Sequence, residues 1–200
     1  MQTTQARYEF RAFAQHFGLA EEKMRKLAQF EKYRESSEIY ILSATNEVHN
    51  IKIRYDTLDI KVFVKEEQGL QQWQPKMKVQ FPVNMTIIRD EVFPALNVTV
   101  PGFKRPEYTL AQFQRDIIQV HPALSVARVF KRRFGYTING CISEIAELTV
   151  NGAAIKTIAV ESIDVQTVLQ AKEILGLQEY ENVSYLLAIK RILGMAPLPE

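Results

Sequence analysis

The chain has 200 residues, and its 25 Lys and Arg face 23 Asp and Glu for a net charge of +2. A hydrophobic content of 46% with 10% aromatic residues is too apolar for a disordered chain, and the length suits one domain over 1–200. Near-neutrality argues against a nucleic-acid binder that works by bulk charge, and eight Gly with eight Pro exclude collagen-like and proline-rich architectures.

The first element in chain order is residues 7–13, RYEFRAF, where Arg7, Glu9, Arg11 and Phe13 alternate with Tyr8, Phe10 and Ala12. That period of two predicts a strand with a charged face. Leu19, Met24, Leu27 and Phe30 among charged residues predict a surface helix over 20–34. Residues 38–44, 51–55 and 60–65 read as sequential antiparallel strands, 66–75 as a loop and 76–83 as another strand. Residues 84–97 fit a helix that stops before Pro94, because the residue ahead of a proline resists helical geometry. A connection over 101–108 leads to Thr109, whose hydroxyl suits an N-cap for a helix to about 119. Three strands follow, over 125–136, 138–150 and 155–163, the last two joined by the hairpin dipeptide Asn151-Gly152. Two helices close the pattern, the first capped by Asp164. About eight strands running hairpin to hairpin predict an α+β fold, in which an eight-stranded antiparallel β-barrel removes its own sheet edges and carries helices outside.

The charge pattern carries the functional reading. Strand faces present Arg7, Glu9 and Arg11, then Lys52 and Arg54, Lys61 and Lys65, Lys76 and Lys78, and Lys131 and Arg133. A solvated outer face would account for charge runs. It normally mixes signs, however, and a same-sign face is costly unless something neutralises it. The alternative is a concave basic sheet that holds a polyanion.

In order and spacing these residues resemble the CYTH superfamily, the triphosphate tunnel metalloenzymes, which includes class IV adenylate cyclases, thiamine triphosphatases and inorganic triphosphatases. Arg7-Tyr8-Glu9-Phe10-Arg11 is similar to its Glu-x-Glu-x-Lys strand, with Arg in place of the first Glu and of the Lys. NIKIR (50–54), LDIK (58–61) and FKRRF match its basic strands. AELTVNG resembles its acidic strand, and IAVES its final Glu-x-Glu, with Ala159 in place of the first Glu. The tail ENVSYLLAIKRIL resembles its closing helix, and the middle of the chain, about 66–124, matches little.

The resemblance implies an eight-stranded tunnel that binds a small triphosphate compound. Arg11, Lys52, Arg54, Lys61, Lys131 and Arg133 would contact the phosphates, where guanidinium groups can donate two hydrogen bonds at once. Glu9, Glu147 and Glu161 would hold Mg²⁺ or Mn²⁺, which needs oxygen ligands. Arg7 and Ala159 thin that acidic set, so one ion is expected rather than two. Glu144 competes with Glu147 for the same place, and ion pairs with neighbouring cations compete with metal binding for Glu9 and Glu161. Metal-dependent triphosphate hydrolysis leads the readings. A polyphosphate- or nucleotide-binding module without turnover and an adenylate cyclase are the alternatives.

Other residues point nowhere so specific. His16, His49 and His121 lie far apart, and no phosphate-loop pattern exists. Trp73, alone in a polar stretch, reads as a packing or lid residue. The one cysteine, Cys141, excludes an intramolecular disulfide and reads as a buried structural thiol in a reduced, cytoplasmic setting. The first residues lack the pattern of a signal peptide, and no apolar run reaches about 18 residues, so no membrane association is expected. A homodimer is compatible with the chain.

Overall fold

Alternating apolar residues and tight turns fold the chain into consecutive hairpins; the computed structural model describes residues 6–198. Strand β1 (Tyr8–Ala14) and helix α1 (Leu19–Leu27) precede β2 (Lys32–Ser43), β3 (His49–Arg54), β4 (Thr57–Glu67) and β5 (Leu70–Gln80). An excursion follows through β6 (Val83–Asn84), α2 (85–96), β7 (Glu107–Tyr108) and α3 (110–118). The chain then returns through β8 (Leu124–Ile138), β9 (Cys141–Val150) and β10 (Ala153–Ser162) to α4 (Val165–Leu175) and α5 (Tyr185–Ile192). Eight strands form a closed antiparallel barrel in the order β1-β10-β9-β8-β2-β3-β4-β5, with five helices around it. Each of the eight strands expected from the sequence contributes to it. Among the described residues no helix is long and apolar enough to cross a membrane.

Several boundaries differ from the sequence expectation, each for a local reason. The helix expected over 20–34 stops at Leu27, with Ala28 already extended. Phe30 sits edge-on to Tyr136 and tilted on Phe134, and from Lys32 the chain pairs with β8 over twelve residues. The stretch read as a loop over 66–75 is the β4–β5 hairpin, turning at Gln68 and Gly69 with φ of 52° and 74°. Its glutamines are indifferent strand formers, and ladder bonds to β4 hold them extended. The break expected between strands 125–136 and 138–150 falls slightly later, at a second Asn-Gly turn, Asn139-Gly140. Helix α2 runs through Pro94 rather than stopping before it. A π-type turn over Ile88–Val92 widens the helix just ahead of the proline, and burial of Ile88, Val92, Phe93 and Leu96 favours continuation. The connection over 101–108 contains β7, which pairs with β6.

Three apolar clusters position the barrel. Phe10, Ile145, Ile158 and Val160 on its outer wall pack against Met24 of α1 and Val168, Ala171 and Leu175 of α4. The excursion covers β3 and β4 with its own core, including Phe93, Phe113 and Ile117. The third cluster lies inside: Leu42, Val129, Leu148 and Val150 meet Leu186 and Ile189 of α5, which stoppers one end of the barrel. Each such Leu or Ile, fully buried, stabilises the fold by about 2 kcal/mol.

The seam between β1 and β5 is short, with only Tyr8↔Gln72 and Glu9↔Gln71 paired. Beyond it the segment leading into α5 takes over. Asn182 accepts from the Arg11 amide at 2.9 Å and donates to the carbonyls of Glu9 at 3.2 Å and Gly69 at 2.7 Å. The Val183 amide donates to the Arg11 carbonyl at 2.7 Å. The same segment that completes the wall therefore places Tyr185 against Arg11, at 4.6 Å from guanidinium to ring centre.

Candidate functional site

The stoppered barrel encloses a cavity of about 440 Å³. Strand alternation decides what faces it. On β1, Phe10 and Ala12 join the outer core, which turns Glu9 and Arg11 inward. The same phase brings Lys52 of β3, Lys61 of β4, Lys131 and Arg133 of β8, and Glu161 of β10 to the wall, with Arg7, Lys32 and Arg34 also lining it. Eight cations thus share the cavity with three carboxylates, Glu9, Glu144 and Glu161.

Five of the six cations expected to meet phosphate therefore line the cavity: Arg11, Lys52, Lys61, Lys131 and Arg133. Arg54 lies behind the lining and pairs with Glu38 at 3.4 Å. Of the expected carboxylates, Glu9 and Glu161 face inward as paired positions across the β1–β10 ladder. Glu147 does not. It points outward and pairs with Arg132 at 2.8 Å, while the inward carboxylate of β9 is Glu144, three residues earlier and so on the opposite face. Lys65 and Lys76 also lie off the cavity, paired with Glu67 and Glu91.

The residue that the charge pattern passed over is Glu38. It is fully buried and accepts from Lys131 at 2.9 Å, Tyr40 at 3.0 Å, Lys52 at 3.2 Å, Ser36 at 3.3 Å and Arg54 at 3.4 Å, with Arg133 at 3.7 Å. A signal was present in the sequence: Ser36, Glu38 and Tyr40 fall in the opposite phase to Ile39 and Ile41, a polar line within an apolar strand.

Electrostatics within the site follow from these contacts. Burial alone would push the Glu38 carboxyl up, but the charges of Lys131 and Lys52, the Lys131 hydrogen bond and Arg133 hold it well below the carboxylate range. Burial likewise opposes ionisation of Glu9, and Arg11, bonded to it at 2.8 Å, overrides this and lowers it. Glu161 goes the other way, raised by burial and then by the charge of Glu9. Lys131, under the ring of Tyr185 at 3.5 Å, is lowered, first by burial and then by Lys52 and Arg11 acting against Glu38. Two buried polar atoms on the lining have no partner among the described residues, Arg133 Nε and Asn50 Oδ1. A ligand bearing oxygen acceptors would satisfy the first.

Cys141 sits in the outer core, away from the cavity, and burial pushes its thiol up to about 11. Trp73 lines the cavity and packs edge-on to Phe63 at 5.5 Å, so the residue read from a polar loop belongs to a barrel strand.

The class of fold is that of a closed eight-stranded antiparallel barrel, here with a bore lined by cations. No family model matches the chain, and no curated protein matches it by sequence. Solved structures do match in fold. The PH1012 protein of Pyrococcus horikoshii is 17% identical with a TM-score of 0.52, covering 92% of this chain and 98% of its own. A conserved Pyrococcus furiosus protein is 16% identical with a TM-score of 0.51, covering 90% and 98%. The Hippeastrum protein HpAC1, whose dominant activity is that of a triphosphatase, is 13% identical with a TM-score of 0.51, covering 96% and 98%.

Proposed function

We propose that the barrel binds a triphosphate-containing anion and hydrolyses it slowly with the help of one divalent metal ion. The observation that carries this reading is the charge of the cavity: eight cations to three carboxylates, with the Arg133 Nε donor buried and unpartnered. A walled cavity of one sign concentrates counter-ions and strengthens each contact relative to open water. Arg11, Lys61, Lys131 and Arg133 would neutralise the phosphoryl oxygens, and Lys52 would add to the field from beside Glu38. Phosphoryl transfer needs little else from a protein than positioning and charge stabilisation.

The donor set fits one hard ion. Among the described residues no three His, Cys, Asp or Glu side chains form a ready cage. Glu9 and Glu161 are nevertheless paired across the ladder, and like-charge repulsion from Glu9 helps to raise Glu161. Two such carboxylates suit Mg²⁺ or Mn²⁺, which completes its shell with water and phosphate oxygens. Each carboxylate is shared with an arginine, Glu9 with Arg11 at 2.8 Å and Glu161 with Arg7 at 3.8 Å; the third inward carboxylate, Glu144, is also held by Arg11 at 3.5 Å, and Ala159 offers no ligand, so few donors are left for a second ion. A bound ion would polarise a phosphoryl oxygen there.

Calorimetry with tripolyphosphate in the presence of chelator, followed by phosphate release with Mg²⁺ or Mn²⁺, tests the reading. Binding should persist in chelator, because the cations outnumber the acids, and hydrolysis should require the metal. Silence in chelator with tight binding restored by metal would place recognition on the carboxylates instead. Binding with no hydrolysis under either metal would make the protein a receptor for the anion rather than an enzyme.

A further inference from the structure

Glu38 occupies the kind of place that a bound oxyanion would. Two lysines, two arginines and two hydroxyl groups converge on it, and its side chain has no exposure to solvent. Convergent guanidinium, ammonium and hydroxyl donors are the set that recognises a tetrahedral oxyanion such as phosphate or sulfate. The carboxylate supplies one negative charge to four cations, so the cluster keeps a positive surplus. Lys52, Lys131 and Arg133 also face the cavity, and the surplus is expressed there, at the unpartnered Arg133 Nε.

We propose that Glu38 is a built-in anion, which fills an oxyanion subsite within the cation cluster and so confines exchangeable phosphate to the cavity beside it. The tethered carboxylate competes as an intramolecular ligand, without the entropy cost of capturing an anion from solution. Free orthophosphate, the smallest product of the proposed hydrolysis, is thereby denied the most enclosed set of donors. A triphosphate still reaches Arg11, Lys61 and the outer sides of Lys131 and Arg133. Glu38 thus sets specificity, favouring a long anion that spans the cavity over a short one that would lodge among these donors in the wall. The part concerning triphosphate rests on the function proposed above, whereas the role of Glu38 as an anion in the subsite rests on its contacts alone.

The charge can be removed at nearly constant shape by Glu38→Gln. Four buried cations then lack their counter-ion, and the subsite should recruit one from solution. The variant's melting temperature should be depressed in chloride and rise steeply with millimolar sulfate at matched ionic strength, well beyond the general salt effect seen in the wild type. Its affinity for orthophosphate by calorimetry should exceed that of the wild type by about tenfold or more. Glu38→Asp, which keeps the charge, should need no such rescue. If Glu38→Gln does not fold in chloride, refolding in sulfate provides the same reading. Equal responses of variant and wild type, rescue by chloride, or failure to fold in either salt would overturn the proposal. Tripolyphosphate binding by the wild type is measured separately: its absence would remove the triphosphate reading and leave the sulfate result standing.

Discussion

The wall built by β1 and β10 and the wall built by β2, β3 and β8 both point cations into the same barrel, yet they hold charge differently. On the first, Arg7 pairs with Glu161 at 3.8 Å and Arg11 with Glu9 at 2.8 Å, cation for carboxylate. On the second, Lys52, Arg54, Lys131 and Arg133 share Glu38. Arg11 is also held by Glu144 at 3.5 Å, so a ligand meets it only in competition with two carboxylates, and its removal strips both of their partner; the Arg7–Glu161 pair is exposed enough for water to screen it. A cation in excess is available to a ligand, and its loss relieves repulsion. What a basic barrel can bind is therefore set by the local ratio of cations to buried carboxylates, not by how many cations its strands display.

Substitutions can separate the two walls. Arg11→Ala should have the largest effect, costing about 3 kcal/mol in urea denaturation, since Glu9 loses its partner. Lys52→Gln should change stability by less than about 1 kcal/mol, because three cations remain on Glu38, while weakening tripolyphosphate binding by about tenfold. Comparable losses of stability in the two variants would erase the distinction between the walls. Acid should then act chiefly through Glu38. Its folded pKa lies well below the ordinary 4.5, so the unfolded chain takes up the proton first. The stabilisation it provides is present above that value and lost as pH falls below it, with Glu9 acting in the same direction. Melting temperature between about pH 5 and pH 3 should consequently fall less in Glu38→Gln than in the wild type. Glu147→Gln, on the outside of the barrel, should be the mildest change. Its half-exposed pair with Arg132 contributes about 0–1 kcal/mol, and neither stability beyond that nor binding should move.

Much of the barrel was legible in the sequence because its strands alternate and its turns are chemically distinct. RYEFRAF and Asn151-Gly152 each carry a pattern that tertiary packing did not need to override. The misread segments are those where local preference and final context part. Gln71, Gln72 and Gln74 extend only because β4 lies beside them, and Pro94 stays helical only because the π-type turn ahead of it gives room. At the site, alternation alone sorted most inward cations correctly. It turned Glu38 to the polar side of β2 but could not show its importance, which comes from β3 and β8 each bringing two cations to it, nor could it separate Glu144 from Glu147. Those two lie three residues apart and so on opposite faces, and the phase of β9 had to be known within one residue.

The way Asn182 and Val183 complete the barrel beside β1 has a consequence for the order of assembly. Arg11 receives its surroundings from across the sequence: Asn182 lies 171 positions away, Thr157 lies 146 away and Tyr185 lies 174 away. Contacts of such separation carry a large loop-closure cost and form late, after the local hairpins. On a ribosome, β1 would wait for almost all of this chain to be made before its arginine found a home. Until then the first strand has only its two positions opposite β5, and the rest is an open edge that a chaperone or a neighbouring nascent chain could claim. Timing, as much as affinity, would then govern how many molecules reach the closed form.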